Sequence, residues 1–117
     1  MKKMITVVVP TYNEELNVDN VYARVTKIMA ESLNNYDYEI MFVDNCSLDA
    51  TRDKIKALIE RDKRVKAIFN ARNFGYVRNV FYGLSQAEGD CAVLLHADLQ
   101  NPPELIVDFV KYWEESY

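Results

Sequence analysis

Four short apolar runs, each followed by a segment whose apolar residues recur every three or four positions, decide what this chain can fold into. Met4 to Val9 reads MITVVV and closes on Pro10. Val18, Val21, Val25, Ile28 and Met29 then fall on one helical stripe, with Arg24, Lys27 and Glu31 opposite, up to Asn34-Asn35. Tyr38 to Val43 is a second strand, and Ile55, Leu58 and Ile59 mark a second helix with Ser47 or Asp49 as its N-cap. Val65 to Phe69 is a third strand, and Val77, Val80, Phe81 and Leu84 give a third helix. Cys91 to Leu95 is the fourth strand, entered through Gly89-Asp90. Asn101, Pro102 and Glu104 carry the start signals of a last helix, whose core face would be Leu105, Ile106, Phe109, Val110 and Trp113. Strands without polar alternation, separated by helices, specify an α/β class: a three-layer parallel sheet with helices on both faces and right-handed crossovers.

Such a sheet binds ligands outside the carboxyl ends of its strands, where the strand order reverses. Polar residues should therefore follow the strands, and they do. Pro10-Thr11-Tyr12-Asn13-Glu14 follows the first, Asp44-Asn45-Cys46-Ser47 the second, Asn70-Ala71-Arg72-Asn73 the third and His96-Ala97-Asp98-Leu99-Gln100 the fourth.

Composition narrows the chemistry. A length of 117 residues suits one domain, and 50% hydrophobic with 27% charged residues describes a chain that folds. A net charge of −4 argues against nucleic acid as a partner. No apolar run reaches the roughly 18 residues that span a bilayer. The start, MKKMITVVVP, mimics a signal peptide, but PTYNEE follows in place of small cleavage-site residues, so a cytoplasmic location is expected. Cys46 and Cys91 form no metal spacing, and the strand reading puts them at opposite edges of the sheet, too far apart to bridge. With no GxGxxG and three glycines in all, a glycine phosphate cradle cannot be built. If a nucleotide binds, carboxylates and a metal must take that part.

Each strand-end residue has two readings. Asp98 can hold a hard divalent cation, with the Gln100 carbonyl and the His96 imidazole nearby, or it can stabilise a strand-to-helix turn. Asp44 can accept hydrogen bonds from a base or ribose, or shape its turn. Tyr12 and Glu14 can wall a pocket, or Glu14 can support the first turn of the next helix. Arg72 and Arg78 can pair with phosphate or lie solvated.

The segments VVVPTYNEELNV, FVDNCSLDAT, NARNFGY and LLHADLQNPPELI together resemble family 2 glycosyltransferases, nearest the group that includes dolichol-phosphate-mannose synthases and bacterial polyprenyl-phosphate sugar transferases. The match runs over nearly the whole chain, and ADLQNPPE is its most specific piece. The resemblance implies a glycosyltransferase-A fold: a Rossmann-like nucleotide-sugar half, then an acceptor half. It implies transfer with inversion from a UDP- or GDP-type nucleotide sugar, with Mg²⁺ or Mn²⁺. By motif match Pro10, Tyr12, Glu14, Val43, Asp44, Ala97 and Asp98 would bind the nucleotide sugar. Asp98, as the last acid of the family's DxD motif, would ligate the metal with Gln100 and His96.

Three departures from the family pattern set further expectations. HADLQ stands where DADLQ is usual, so an imidazole replaces a carboxylate and the site loses one negative charge. VDNCS stands where VDDGS is usual; if the missing glycine takes positive φ, Cys46 inherits a strained conformation. Residues 1–117 correspond to the donor half, and the acceptor half, with its general base, would follow Trp113-Glu114-Glu115-Ser116-Tyr117. The expectations are donor binding with little or no transfer, a lipid-phosphate acceptor served by the missing half at a membrane face, and self-association through the uncovered sheet edge or last helix. The rival expectation is a non-catalytic nucleotide-binding or interaction module derived from such an enzyme. A weaker third is an unrelated doubly wound domain, such as a small regulator.

Overall fold

The computed structural model describes residues 2–98 and 102–116. In chain order it contains β1 (Met4–Thr11), α1 (Val18–Ser32), β2 (Asp37–Asp44), α2 (Thr51–Arg61), β3 (Val65–Phe69), α3 (Tyr76–Gln86), β4 (Cys91–Leu94) and α4 (Leu105–Ser116). All three strand pairings are parallel, in the order β3-β2-β1-β4. The chain steps outward from β1 to β3, then returns to the far side of β1 for β4. The strand order therefore reverses between β1 and β4, and that is where the carboxyl ends open a crevice.

Alternate strand residues serve the two faces. Ile5, Val7 and Val9 of β1 pack with Ile40 and Phe42 of β2 against α1, α2 and α4, in a core that takes in Val21, Ile55, Leu58, Ile106 and Val110. Val8, Met41 and Val43 face the other way and meet α3 through Leu84 and Ala87. Close approach there rests on Gly83: a Cβ at that position would stand 2.6 Å from Val43 Cγ2. At the amino end of the α3 face lies a polar row. The Thr6 hydroxyl donates to buried Glu39 at 2.6 Å, and Lys66 Nζ lies 2.9 Å from the second Glu39 oxygen.

The helix stripes hold on α1, where all five periodic residues are buried, and hold only in part elsewhere. On α2, Ile59 lies at the surface and Thr51 is buried in its place. The N-cap position of α2 is Ala50, without a side-chain cap, so neither Ser47 nor Asp49 fills it: Asp49 accepts from the Thr51 amide at 2.9 Å from one residue earlier, and the Ser47 hydroxyl is turned to Asp44. On α3 the buried residues are Asn79, Val80 and Gly83, and Val77 and Phe81 stand in solvent. On α4 the expected face is kept by Ile106 and Val110, which are buried in the core, with Trp113 half-buried against it, whereas Phe109 is exposed. Helix α4 starts at Leu105, with Pro102 three residues ahead of it. Asn101 lies outside the described residues. Both cysteines are free thiols. Among the described residues no helix is long and apolar enough to cross a membrane.

Candidate functional site

A cleft of about 520 Å³ opens at the switch point, lined by Pro10, Thr11, Tyr12, Glu14, Asn45, Asn73, Tyr76, Asn79, His96, Ala97 and Asp98. Three strand ends and the start of α3 thus converge on one space. Six of the residues singled out in the sequence meet there: Pro10, Tyr12, Glu14, His96, Ala97 and Asp98. Gln100 lies outside the described residues. The Glu14 carboxylate, besides lining the cleft, accepts from Asn17 Nδ2 at 2.7 Å ahead of α1.

Val43 and Asp44 are not on the cleft wall. Val43 packs its side chain toward α3. Asp44 is fully buried, and one carboxylate oxygen accepts from the hydroxyls of Thr11, at 2.8 Å, and Ser47. The other accepts from the Ser47 amide at 2.9 Å and from Arg52 Nε at 2.8 Å. Burial alone would raise its pKa; the hydrogen bonds from Ser47, Arg52 and Thr11 outweigh it and hold the carboxyl below the usual range. Arg52 also donates to the Asn70 carbonyl. The residue behind the wall therefore ties the ends of β1, β2 and β3 together.

The turn that follows is strained where a glycine was missing. Cys46 has φ 64°, the left-handed region that costs a residue with a Cβ about 1 kcal/mol. Beyond it an asparagine network fixes the wall. Asn45 Nδ2 donates to Asn73 at 2.9 Å, and Asn45 Oδ1 accepts from the Phe74 amide at 2.9 Å. Asn70 Nδ2 donates to Asn79 Oδ1 at 2.7 Å, and Asn79 Nδ2 to the Val43 carbonyl at 2.9 Å. Asn73, Tyr76 and Asn79 were not among the sequence candidates. For Asn73 and Tyr76 the signal was the polar loop NARNFGY after the third strand, whose outward partners no periodicity reveals; Asn79 lies beyond that loop, on α3.

Across the cleft, the Tyr76 ring stacks on His96 with centroids 5.7 Å apart and planes 18° from parallel. The Tyr76 hydroxyl lies 3.1 Å from His96 Nε2. Arg72 lies over the Phe74 ring at 4.9 Å, and Arg78 borders a separate groove beside Phe69 and Tyr82, so neither lines this cleft.

The Glycosyl transferase family 2 model matches residues 6–117. The chain belongs to that family. Relatives include the uncharacterized glycosyltransferase YkcC of Bacillus subtilis, 38% identical over 96% of this chain and 34% of its own length. Another is the undecaprenyl-phosphate 4-deoxy-4-formamido-L-arabinose transferase of Aeromonas hydrophila, 36% identical over 98% of this chain and 35% of its own. The chain thus spans about a third of the length of these relatives. Among solved structures, Staphylococcus aureus TarS 1–349 in complex with UDP-GlcNAc superimposes with a TM-score of 0.72 at 27% identity, over 98% of this chain and 32% of that one. The mannosyltransferase PcManGT of Pyrobaculum calidifontis, in complex with GDP-Man and Mn²⁺, gives 0.69 at 24% identity, over 96% and 32%. The architecture of this family 2 chain is that of glycosyltransferase-A folds.

The donors at the cleft suit a metal that arrives with a diphosphate. Among the described residues no three His, Cys, Asp or Glu side chains converge into a cage. One carboxylate and one imidazole, Asp98 and His96, do face the same space. Mg²⁺ is commonly held by one or two carboxylates with substrate phosphates completing its shell, and the imidazole tilts the set toward Mn²⁺.

Proposed function

We propose that residues 1–117 form the donor half of an inverting sugar transferase, which binds a nucleoside-diphosphate sugar of UDP or GDP type in the cleft between the ends of β1 and β4. One observation carries this: residues from two distant motifs, PTYNE and HADLQ, line a single 520 Å³ space at the switch point. Tyr12 offers a ring face and Pro10 a rigid apolar floor for the base. Asp44 acts from behind, by setting the turn that presents Asn45. Asp98, with His96 and Gln100, would hold Mg²⁺ or Mn²⁺, which offsets the charge that builds on a leaving diphosphate. Inversion also needs a base on the sugar's far face. No described residue presents itself for that role, so the chain is proposed to bind donor and to transfer little by itself.

The acceptor is proposed to be a lipid phosphate, on the strength of the undecaprenyl-phosphate relatives, with the protein at the cytoplasmic face of a membrane. The outer edge of β4 is the proposed site of self-association, with α4 beside it. A groove of about 510 Å³ runs along that edge past Ala92, Leu105, Phe109 and Trp113.

Calorimetry with UDP, GDP and their sugars, with and without Mn²⁺, tests the donor reading. A metal-dependent heat that Asp98→Ala abolishes is expected, and silence from every ligand would refute the reading. The second reading, a non-catalytic module, draws on His96 standing where an acid is usual and being engaged by Tyr76. It requires that Asp98→Ala change neither ligand response nor melting.

A further inference from the structure

Helix α3 and the loop before it line the cleft with Asn73, Tyr76 and Asn79 and, away from it, present an apolar surface that no described residue covers. Val77 is 61% and Phe81 68% exposed, and Phe74 and Tyr82 also stand partly in solvent. Val77 and Phe81 are four residues apart and so share one side of the helix. Large apolar side chains grouped in this way mark an interaction surface. Its charge identifies what it meets. Residues 70–87 contain Arg72 and Arg78 and no acidic residue, in a chain of net charge −4, so the other residues together carry −6. A cationic partner would be drawn to the rest of the molecule. An anionic one is drawn here.

Aromatic and aliphatic side chains beside arginines, on a helix lying flat on a domain, are the make-up of a segment that rests in a lipid headgroup layer. We infer that the α3 face docks on an anionic bilayer surface. Tyr76 extends the patch into the cleft, because it begins α3 and also lines the proposed donor site. Docking on α3 therefore sets the cleft mouth at headgroup height, where a membrane-held phosphate can reach it. The surface goes beyond the donor reading, and its test uses no nucleotide.

Co-sedimentation of the chain with vesicles of phosphatidylcholine containing a one-third share of phosphatidylglycerol reads the inference directly. Binding is expected at low salt, weaker at high salt, and several-fold weaker on phosphatidylcholine alone. Val77→Ser with Phe81→Ser should weaken it roughly tenfold. Arg72→Gln with Arg78→Gln should weaken it about fivefold per arginine and flatten the salt dependence. Phe109→Ser, on α4, should leave it unchanged. All these positions are exposed, and circular dichroism confirms that each variant folds. Absence of binding to the anionic vesicles, or binding indifferent to the Val77 and Phe81 changes, overturns the inference. So does a dimer in sedimentation velocity that those two changes dissolve, which would give the face to a second copy of the chain. Calorimetry with nucleotide on the same variants keeps failure here separate from failure of the donor reading.

Discussion

The two walls of the cleft are built differently. On the β2 side, Asp44, Arg52, Ser47 and Thr11 interlock, and the asparagines at 45, 70, 73 and 79 fasten a loop to them. On the β4 side, a four-residue strand pairs, among the described residues, only with β1, and the cleft wall is a stacked His96 and Tyr76 beside exposed Asp98. The first wall is held by buried polar bonds and the second by surface contacts. Substitutions on the first should therefore act on stability, and on the second on binding. In the proposed donor site, then, one wall would hold the shape and the other would meet the ligand.

The sharpest way to break this contrast is Asp44→Ala. It strands the Ser47 and Thr11 donors and the Arg52 cation, and should cost about 3 kcal/mol in urea unfolding. A loss under 1 kcal/mol would show that the interlock is not what holds this wall. Next is Asn79→Ala, which removes the side-chain donor to the Val43 carbonyl and the nearer acceptor of the Asn70 amide, leaving that amide only Asn45 Oδ1 at 3.3 Å; about 2 kcal/mol is expected by the same measurement.

Acid should act through this wall, at Asp44, and through Glu39 at the opposite end of β2. Asp44 and Glu39 both have folded pKa values below their ordinary 3.8 and 4.5, because hydrogen bonds and, for Glu39, Lys66 outweigh burial. As pH falls, the unfolded chain takes up protons first. The stabilisation is complete above about pH 5 and drains as pH drops through the lower folded values. A melting temperature flat from pH 5 to 7 and falling below pH 4, with a shallower fall in Asp44→Asn, is the expected profile.

Smaller and opposite in sign, Cys46→Gly should relieve the left-handed strain and raise stability by about 1 kcal/mol. Smallest of all, Phe109→Ser on the β4 side should stay within about 0.5 kcal/mol of the parent.

The same contrast explains what was legible in the sequence. Elements buried on both faces announce themselves by composition alone: MITVVV and YEIMFV could only be central strands, and the Val18–Met29 stripe could only face them. At the margins that logic misleads. Val77, Phe81 and Phe109 keep helical spacing yet are not covered, because periodicity tells which residues share a side and not whether a neighbour arrives. The site was legible as motifs, and the strain at Cys46 could be anticipated from a missing glycine. The inward turn of Asp44 could not, since a carboxylate after a strand can face ligand or turn equally well until its donors are placed. Nor could the asparagine network, which joins positions 45 and 73 across 28 residues by a side-chain hydrogen bond without a periodic trace.

The Arg52 bridge has one more consequence. By holding the Asp44 carboxylate and the Asn70 carbonyl at once, it freezes the ends of two strands before any ligand arrives. A nucleotide sugar that met the proposed site from that flank would find it already ordered, and would spend little entropy in arranging it.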